Sequence, residues 1–467
     1  MIDIALIREK PEWVKEQLRK RFDDIAVARV DTILALDKQR RDLIVESETL
    51  QAERNKLNKQ MGRFRGNKQL SKAAMNGVAA RIVSAIEGKD YATALELMSN
   101  PPADVEGDEG ALDRLSEALR GMGDRVNALS AELEKVDAEL RENHLWIPNL
   151  LQPTVKIGAS SEENTVVYTE GDLPKFDFTP KPHWEIGPEL DVIDFERGVK
   201  LSGTRFYVLK GMGARLQRAL INFCLDRHSA NGFTELYVPF IVKEEALYGA
   251  GQFPKFRNDM FVDQDAQLYL LPTAEVAITN LHRDEILEAD QLPLYYVANT
   301  PCWRREATSA GRDVRGIKRV HQFQKVEMYK LTTPESSNAE HEAMFEQAAD
   351  LLRALKLPFR KLELCTGDTG FGMSKTYDIE AWAAGSNEWL EVSSVSNAEA
   401  FQARRAMIRY RPAAGAKPEY VHTLNGSGLA MPRVIITILE NYQQADGSVI
   451  VPEVLRRYLG GIEVIRK

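Results

Sequence analysis

The sequence predicts an α+β chain: an antiparallel helical hairpin at the N-terminus, then a domain built on an antiparallel β-sheet flanked by helices. Three observations carry this. Apolar residues recur at heptad spacing in two separate stretches of the first third. The heptads stop near Trp146, where prolines and glycines enter. Beyond residue 175, extended apolar segments and helical patterns occur without strict alternation, which fits an antiparallel sheet better than a doubly wound parallel one.

Each element follows from local chemistry. Pro11 suits the first turn of a helix running to about Arg21. A second helical stretch begins near Val30, with Leu36, Leu43, Leu50 and Leu57 seven apart. Leu112, Leu115, Leu119, Met122, Val126, Leu129, Leu133, Val136 and Leu140 alternate steps of three and four, the seam of a coiled coil. Two such seams point to a long hairpin; two helices of an ordinary bundle are the plainer alternative. Between them, residues 62–109 read as an enlarged tip. Its parts are short helices at 79–86 and 91–98, a break at Asn100-Pro101-Pro102, and an acidic stretch at 104–109. The expected division is a helical arm over 1–145, a linker over 146–175 and a second domain over 176–467. In that domain residues 268–271, 295–298 and 320–329 read as strands, and 215–229 and 339–356 as helices.

Composition narrows the class. Hydrophobic residues make up 44% and charged residues 28% of 467, ordinary for a globular protein of two domains. The three cysteines, Cys224, Cys302 and Cys365, form no CxxC, which argues against a disulfide framework or a thiolate zinc site. Charges interrupt the N-terminus where a signal peptide needs its apolar core, and no apolar run approaches a membrane span. A cytoplasmic protein with no membrane segment is the simple reading. The net charge of −8 neither suggests nor excludes a nucleic-acid partner. Arg54, Lys56, Lys59, Arg63, Arg65 and Lys68 form a run with no acidic residue between them. It is either a solvated helix face or a phosphate-contacting patch.

Common nucleotide and metal motifs are absent. Residues 370–376 (GFGMSKT) approach a P-loop, but Ser374 stands where the second glycine should be. Gly211 and Gly213 lack a third glycine, and no HExxH occurs.

Three segments carry chemistry instead. PCWRRE (301–306), GRDVRG (311–316) and HQFQKVE (321–327) read as strand, glycine-containing loop and returning strand. Alternation places Arg304 and Glu306 on one side of the first strand, and Phe323, Lys325 and Glu327 on one side of the second. EVSSVSN (391–397) follows, and residues 423–440 end in GLAMPRVIITILEN, which puts Arg433 at a helix start. Each has a plain explanation alone: a surface ion pair, a turn or cap cluster, a solvated arginine.

In this order they resemble the signature motifs of the class II aminoacyl-tRNA synthetases, and specifically the seryl family. Motif 1 resembles the helix at 214–232 running to Pro239, motif 2 residues 302–327, and motif 3 residues 428–440. The seryl likeness adds GAGQFPKF (249–256), LPTAEV (271–276), CTGDTGFG (365–372), SKTYDIE (374–380), FQARR (401–405) and HTLNGSG (422–428). The resemblance covers nearly the whole chain and implies the class II synthetase fold. It also implies ATP-dependent activation of L-serine and transfer to the 3′ end of serine tRNA, with selenocysteine tRNA as a further possible substrate. Arg304 and Arg433 would be the catalytic arginines. ATP would be held by Arg304, Arg305, Glu306, Val320, Phe323, Glu391, Val392, Ser393, Ser394 and Arg433. Serine would meet Thr273, Ala274, Glu275, Arg304, Glu327 and Ser427. Glu391 and Ser394 would bind Mg²⁺. The basic run on the arm would contact the long variable arm of the tRNA, and the family implies a homodimer.

Some positions depart from the family pattern. The 62–109 insertion is longer than usual in bacterial members. Pro432 precedes Arg433, Val395 and Ala400 replace a cysteine and an aspartate, and Thr308 replaces a glycine in the motif 2 loop. Two other readings stand beside the main one: a ligase that serves a carrier or a biosynthetic pathway, and a non-catalytic RNA-binding paralogue.

Overall fold

The computed structural model describes every residue except Gln264, Ala266 and 308–314. Thr308 and most of the 311–316 loop therefore lie outside the described residues. The chain forms two compact units: Ala28–His144, and Met1–Val27 together with Leu145–Lys467. Residues 1–27 thus belong to the second unit, where the sequence placed them in the arm. Helices α1 (Ile4–Glu9) and α2 (Pro11–Arg19) lie here. Arg21, just beyond them, aims its guanidinium at the carbonyls of Asn149, Thr369, Gly370 and Met373. Helical propensity is the same in either unit, so the pattern of residues 1–27 held no clue to where they pack.

The first unit is built on α3 (Asp24–Arg65) and α6 (Ala111–Leu145). Arg29 reaches Asn143, Arg40 reaches Asp137, Arg125 reaches Glu46 and Arg65 reaches Ser116. Position on one helix rises as position on the other falls, so the pair is antiparallel. The heptad residues meet in one apolar cluster that joins Leu43, Leu50 and Leu57 to Leu115, Leu119, Leu129 and Val136. Between the long helices, α4 (Lys72–Glu87) and α5 (Tyr91–Ser99) are capped by Ser71 and Asp90. Val78, Ile82, Ala94 and Met98 enter the same cluster, so the enlarged tip extends the hairpin core. A Cβ at Gly107 would fall 2.4 Å from the Gly77 nitrogen, so α4 and the 104–109 stretch pack backbone to backbone.

The second unit contains an eight-stranded sheet. Its strands are β1 (Thr165–Glu170), β2 (Thr234–Glu235), β3 (Leu294–Trp303), β4 (Gln322–Thr332), β5 (Phe359–Glu363), β6 (Lys375–Ala383), β7 (Glu388–Glu399) and β8 (His422–Ala430). Their order is β1-β5-β6-β7-β8-β4-β3-β2, antiparallel except where β2 meets β3. The antiparallel α+β expectation is met. Strand β1 comes from the stretch read as a linker, because proline and glycine content hid a short edge strand.

Two cores flank this sheet. Leu220 and Phe223 of α7 (Met212–Ala230), Phe345 and Leu352 of α9 (Ser337–Ala354), and Ile435 and Ile438 of α11 (Met431–Asn441) pack with Val326 and Met328. Val276 and Ile278 of α8 (Ala274–Thr279) and Ala403 and Ala406 of α10 (Phe401–Ala406) pack with Tyr329 and Leu331. Alternation along β4 therefore sends even positions to one core and turns Glu327 to the other side. The EVSSVSN segment lies within β7 and is neither a turn nor a cap.

Candidate active site

A cavity of about 430 Å³ opens over the sheet, a size usual for small-molecule sites. Thr273, Glu275, Arg304, Glu306, Val320, Phe323, Glu327, Glu391, Val392, Ser393, Ser394, Ser427 and Arg433 all line it. Of the residues expected in the two pockets, Arg305 and Ala274 are not among those lining it. Arg305 is exposed, with its backbone N–H donated to Asp259, and Ala274 is buried at the start of α8.

At one end, Thr273 Oγ1 donates to Glu327 Oε2 at 3.0 Å, and the Lys325 ammonium contacts the same oxygen. Glu327 is fully buried, and its Oε1 has no partner among the described residues. An unpaired buried carboxylate oxygen is costly, so this one calls for a cationic or hydrogen-bonding ligand. Burial and then the Glu327 charge push the Glu275 carboxyl up to about 7.

The other end is cationic. The Pro272 carbonyl accepts from Arg304 Nε at 3.3 Å, and the guanidinium lies 5.3 Å from the Phe323 ring centre. Arg433 sits in the first turn of α11. Its Nε donates to the Lys318 carbonyl at 3.1 Å and its Nη1 to the Glu391 carbonyl at 2.7 Å.

The strand reading of Arg304 and Glu306 needs correction. Strand β3 ends at Trp303, and Glu306 has φ +52°. Both reach the cavity from an irregular segment, and Glu306 accepts from Arg319 at 3.0 Å. Glu391 and Ser394 share the cavity for a different reason. In the β6–β7 pairing Ile379 faces Ser393 and Glu380 faces Glu391, so Val392 is a bulge. Plain alternation would put residues 391 and 394 on opposite faces; the bulge resets it.

These two oxygens suit a hard divalent cation that also takes phosphate oxygens. Buried Asp378 Oδ1, unpartnered among the described residues, supports that fit, and Asp378 pairs with Ser394 across the sheet. Burial, and then the Glu391 carboxylate, hold the Asp378 carboxyl well above its usual range. No cluster of three His, Cys, Asp or Glu that could hold a metal exists among the described residues, so phosphates would have to complete the shell.

Sequence reasoning gave no role to several residues. Lys325 was visible from its alternation with Phe323 and Glu327. Asn425, Gln252 and the wall at 370–373, which Arg21 clamps, lacked any periodic signal. Gln402, fully buried, was visible only as a letter of FQARR.

The basic run is divided by the fold. Lys56, Lys59, Arg63, Arg65 and Lys68 are exposed. Lys56 pairs with Glu53 at 2.7 Å, and Arg65 donates to Ser116. The Arg54 guanidinium lies where a Cβ on Gly123 of α6 would stand, at 2.8 Å. Arg54 therefore packs between the helices and does not join the exposed patch.

Comparison with known proteins follows the same lines. Residues 1–94 match the seryl-tRNA synthetase N-terminal domain, and residues 256–442 match the tRNA synthetase class II core domain (G, H, P, S and T). The serine–tRNA ligase of Roseiflexus sp. (strain RS-1) is 54% identical over 467 residues, covering 100% of both chains. The crystal structure of seryl-tRNA synthetase from Pyrococcus horikoshii complexed with ATP superposes with a TM-score of 0.85 at 35% identity, covering 100% of this chain and 99% of that one. The cytoplasmic enzyme of Naegleria fowleri in complex with AMP gives 0.83 at 27% identity, with coverage of 100% and 99%.

Proposed function

The chain belongs to the seryl-tRNA synthetase family, and on that premise we propose that this cavity activates L-serine with ATP and passes it to the 3′ end of serine tRNA. One observation carries the site assignment. A buried carboxylate with an unpaired oxygen, Glu327, shares a single cavity with the cations of Arg304 and Arg433.

In the first step the serine carboxylate attacks the α-phosphorus of ATP and pyrophosphate leaves. The nucleophile is already ionised at neutral pH, so no general base is required. What must be overcome is repulsion between anions, and positioned cations do that. The planar fork of Arg304 can bridge the serine carboxylate and the α-phosphate. Arg433 serves the γ-phosphate side, Phe323 stacks on adenine, and Glu306 and the Val320 backbone meet its edge. Glu391 and Ser394 would hold Mg²⁺, which when bound neutralises phosphate charge. Glu327 and Thr273 take the serine ammonium, and Glu275 and Ser427 the hydroxyl. A site built to hydrogen-bond a hydroxyl rejects the analogue lacking it by roughly 10⁴–10⁵. In the second step a hydroxyl of the tRNA 3′ end attacks the acyl carbon and AMP leaves.

The exposed cations Lys56, Lys59, Arg63, Arg65 and Lys68 contact the tRNA backbone in this reading, as shape-based RNA recognition requires. The enzyme acts as a homodimer in the cytoplasm. Among the described residues no helix is long and apolar enough to cross a membrane.

Serine-dependent ATP–pyrophosphate exchange, followed by charging of serine tRNA, tests the proposal. Both are expected. Absence of exchange would refute serine activation, and exchange without charging would redirect the product to another acceptor.

A further inference from the structure

One fully buried polar group beside the cavity belongs to no motif role. Gln402 of α10 is fully buried, with 0% exposure. Its Nε2 donates to Glu275 Oε1 at 2.5 Å and to the Ala250 carbonyl at 3.1 Å. Its Oε1 accepts from Thr423 Oγ1 at 2.6 Å and from the Tyr329 hydroxyl at 3.2 Å. All four hydrogen-bonding positions of the amide are used.

This pattern fixes which way the amide faces. The Ala250 carbonyl can only accept, so the nitrogen must be on that side. Turning the amide over would set its oxygen against that carbonyl and against the Glu275 carboxylate. It would also leave the Thr423 and Tyr329 hydroxyls facing N–H groups. Tyr329 is held in turn by Thr279, whose hydroxyl lies 2.8 Å from the tyrosine oxygen and 2.7 Å from the Glu275 carbonyl. The loop of contacts closes: Glu275 side chain to Gln402, to Tyr329, to Thr279, to the Glu275 backbone. A carboxylate held at both its backbone and its tip cannot swing away from the cavity it lines.

We propose that Gln402 is the positioning residue for side-chain recognition: its amide holds the Glu275 carboxylate ionised and aimed, so acceptance of a hydroxyl-bearing amino acid depends on Gln402 as much as on Glu275. The proposal rests on the reading of Glu275 as the group that meets the serine hydroxyl. Gln402 itself does not line the cavity and reaches it only through Glu275. The same amide donor opposes the burial and the Glu327 charge that raise the Glu275 carboxyl. Removing it moves that carboxyl further up.

The test is ATP–pyrophosphate exchange with serine and ATP varied separately from pH 6 to 9, on the full chain, with thermal unfolding recorded for each variant. Glu275→Gln is expected to raise the serine KM, which secures the underlying reading. Gln402→Leu is expected to raise the serine KM at least about tenfold while the ATP KM stays within about twofold. The acidic limb of its serine kcat/KM profile moves to higher pH. Gln402→Glu, whose carboxylic proton can replace the amide N–H, recovers most of the loss at pH 7. If the leucine variant does not fold, Thr423→Val removes one hydroxyl that locks the amide and carries the same test with a smaller change.

An unchanged serine KM and unchanged limb in the Gln402 and Thr423 variants would overturn the proposal and leave Glu275 standing. Equal rises in the serine and ATP KM, with the limb in place, would mark a merely structural residue and overturn it too. So would a glutamate variant no better than leucine. An unchanged serine KM in Glu275→Gln would refute the Glu275 reading and the proposal with it.

Discussion

Lowering the pH through neutrality should weaken serine binding specifically, because Glu275 titrates there. Its carboxyl is raised from 4.5 to about 7 by burial and by Glu327, while Lys325, Gln402 and Arg304 pull the other way. With that value, about nine-tenths of the cavity carries an ionised Glu275 at pH 8 and about one-tenth at pH 6. The serine ammonium binds best beside two ionised carboxylates and keeps its own proton throughout this range. The serine KM at saturating ATP should therefore rise about tenfold from pH 8 to pH 6. At pH 7 about half a proton should be released per serine bound. Pyrophosphate exchange gives the first quantity, and titration calorimetry in buffers of different ionisation heat gives the second. The sign for stability follows the same shift. A carboxyl raised on folding contributes stability that is full below about 4.5 and lost as the pH climbs through about 7, here about 3 kcal/mol. Serine should restore part of it at pH 7. A serine KM flat between pH 6 and 8, with no proton release, would refute the placement of Glu275 at the substrate.

Other outcomes follow from the same geometry. Arg304→Ala should lower exchange by about 10³-fold or more with little change in the unfolding midpoint, since its Nε bond to Pro272 is weak and the residue is half-buried. Neutralising Lys59, Arg63 and Lys68 together should raise the tRNA KM in charging and reduce its salt slope by about 2, leaving exchange unchanged. Arg54→Ala, by contrast, should leave the salt slope in place, because that guanidinium packs against Gly123. Gly107→Val should loosen the tip by about 2 kcal/mol or more, seen as faster amide exchange over α4, because its Cβ would meet the Gly77 backbone.

Much of this was legible from residues alone, for identifiable reasons. The two leucine seams report a period that only a helix pair can satisfy, so the hairpin core was readable position by position. The ordered motifs gave the cavity, and all but Arg305 and Ala274 of its expected residues line it. What escaped lacks a local signature. The N-terminal 27 residues are helical in either unit, and only the long-range contacts of Arg21 decide where they pack. A charge run is one-dimensional, whereas exposure follows the helix face. Arg54 therefore points inward while Lys59 and Arg63 point out. Gln402 stands 127 residues from the carboxylate it holds, a pairing no spacing rule reaches.

The misread strands share one cause. A regular strand offers every second residue to one face, so it can place a single row of side chains along a cavity. This site needs more from the same short stretches. Arg304 and Glu306 must both arrive from beyond one strand end, and Glu391 and Ser394 from within another. The chain meets the first need by leaving the strand after Trp303 and turning at Glu306 with φ +52°. It meets the second with a bulge at Val392, which also returns Val392 and Val395 to the same core. Both irregularities cost stability locally. Alternation fails as a guide at these two points because there the sheet serves the cavity rather than itself. Inserting one residue between Ile379 and Glu380, opposite Val392, should restore regular pairing while keeping the three-residue spacing, and so separate Glu391 from Ser394. An insertion variant that folds but has lost its dependence on divalent cation for ATP binding would follow from this. One that binds ATP and Mg²⁺ unchanged would show the bulge to be incidental.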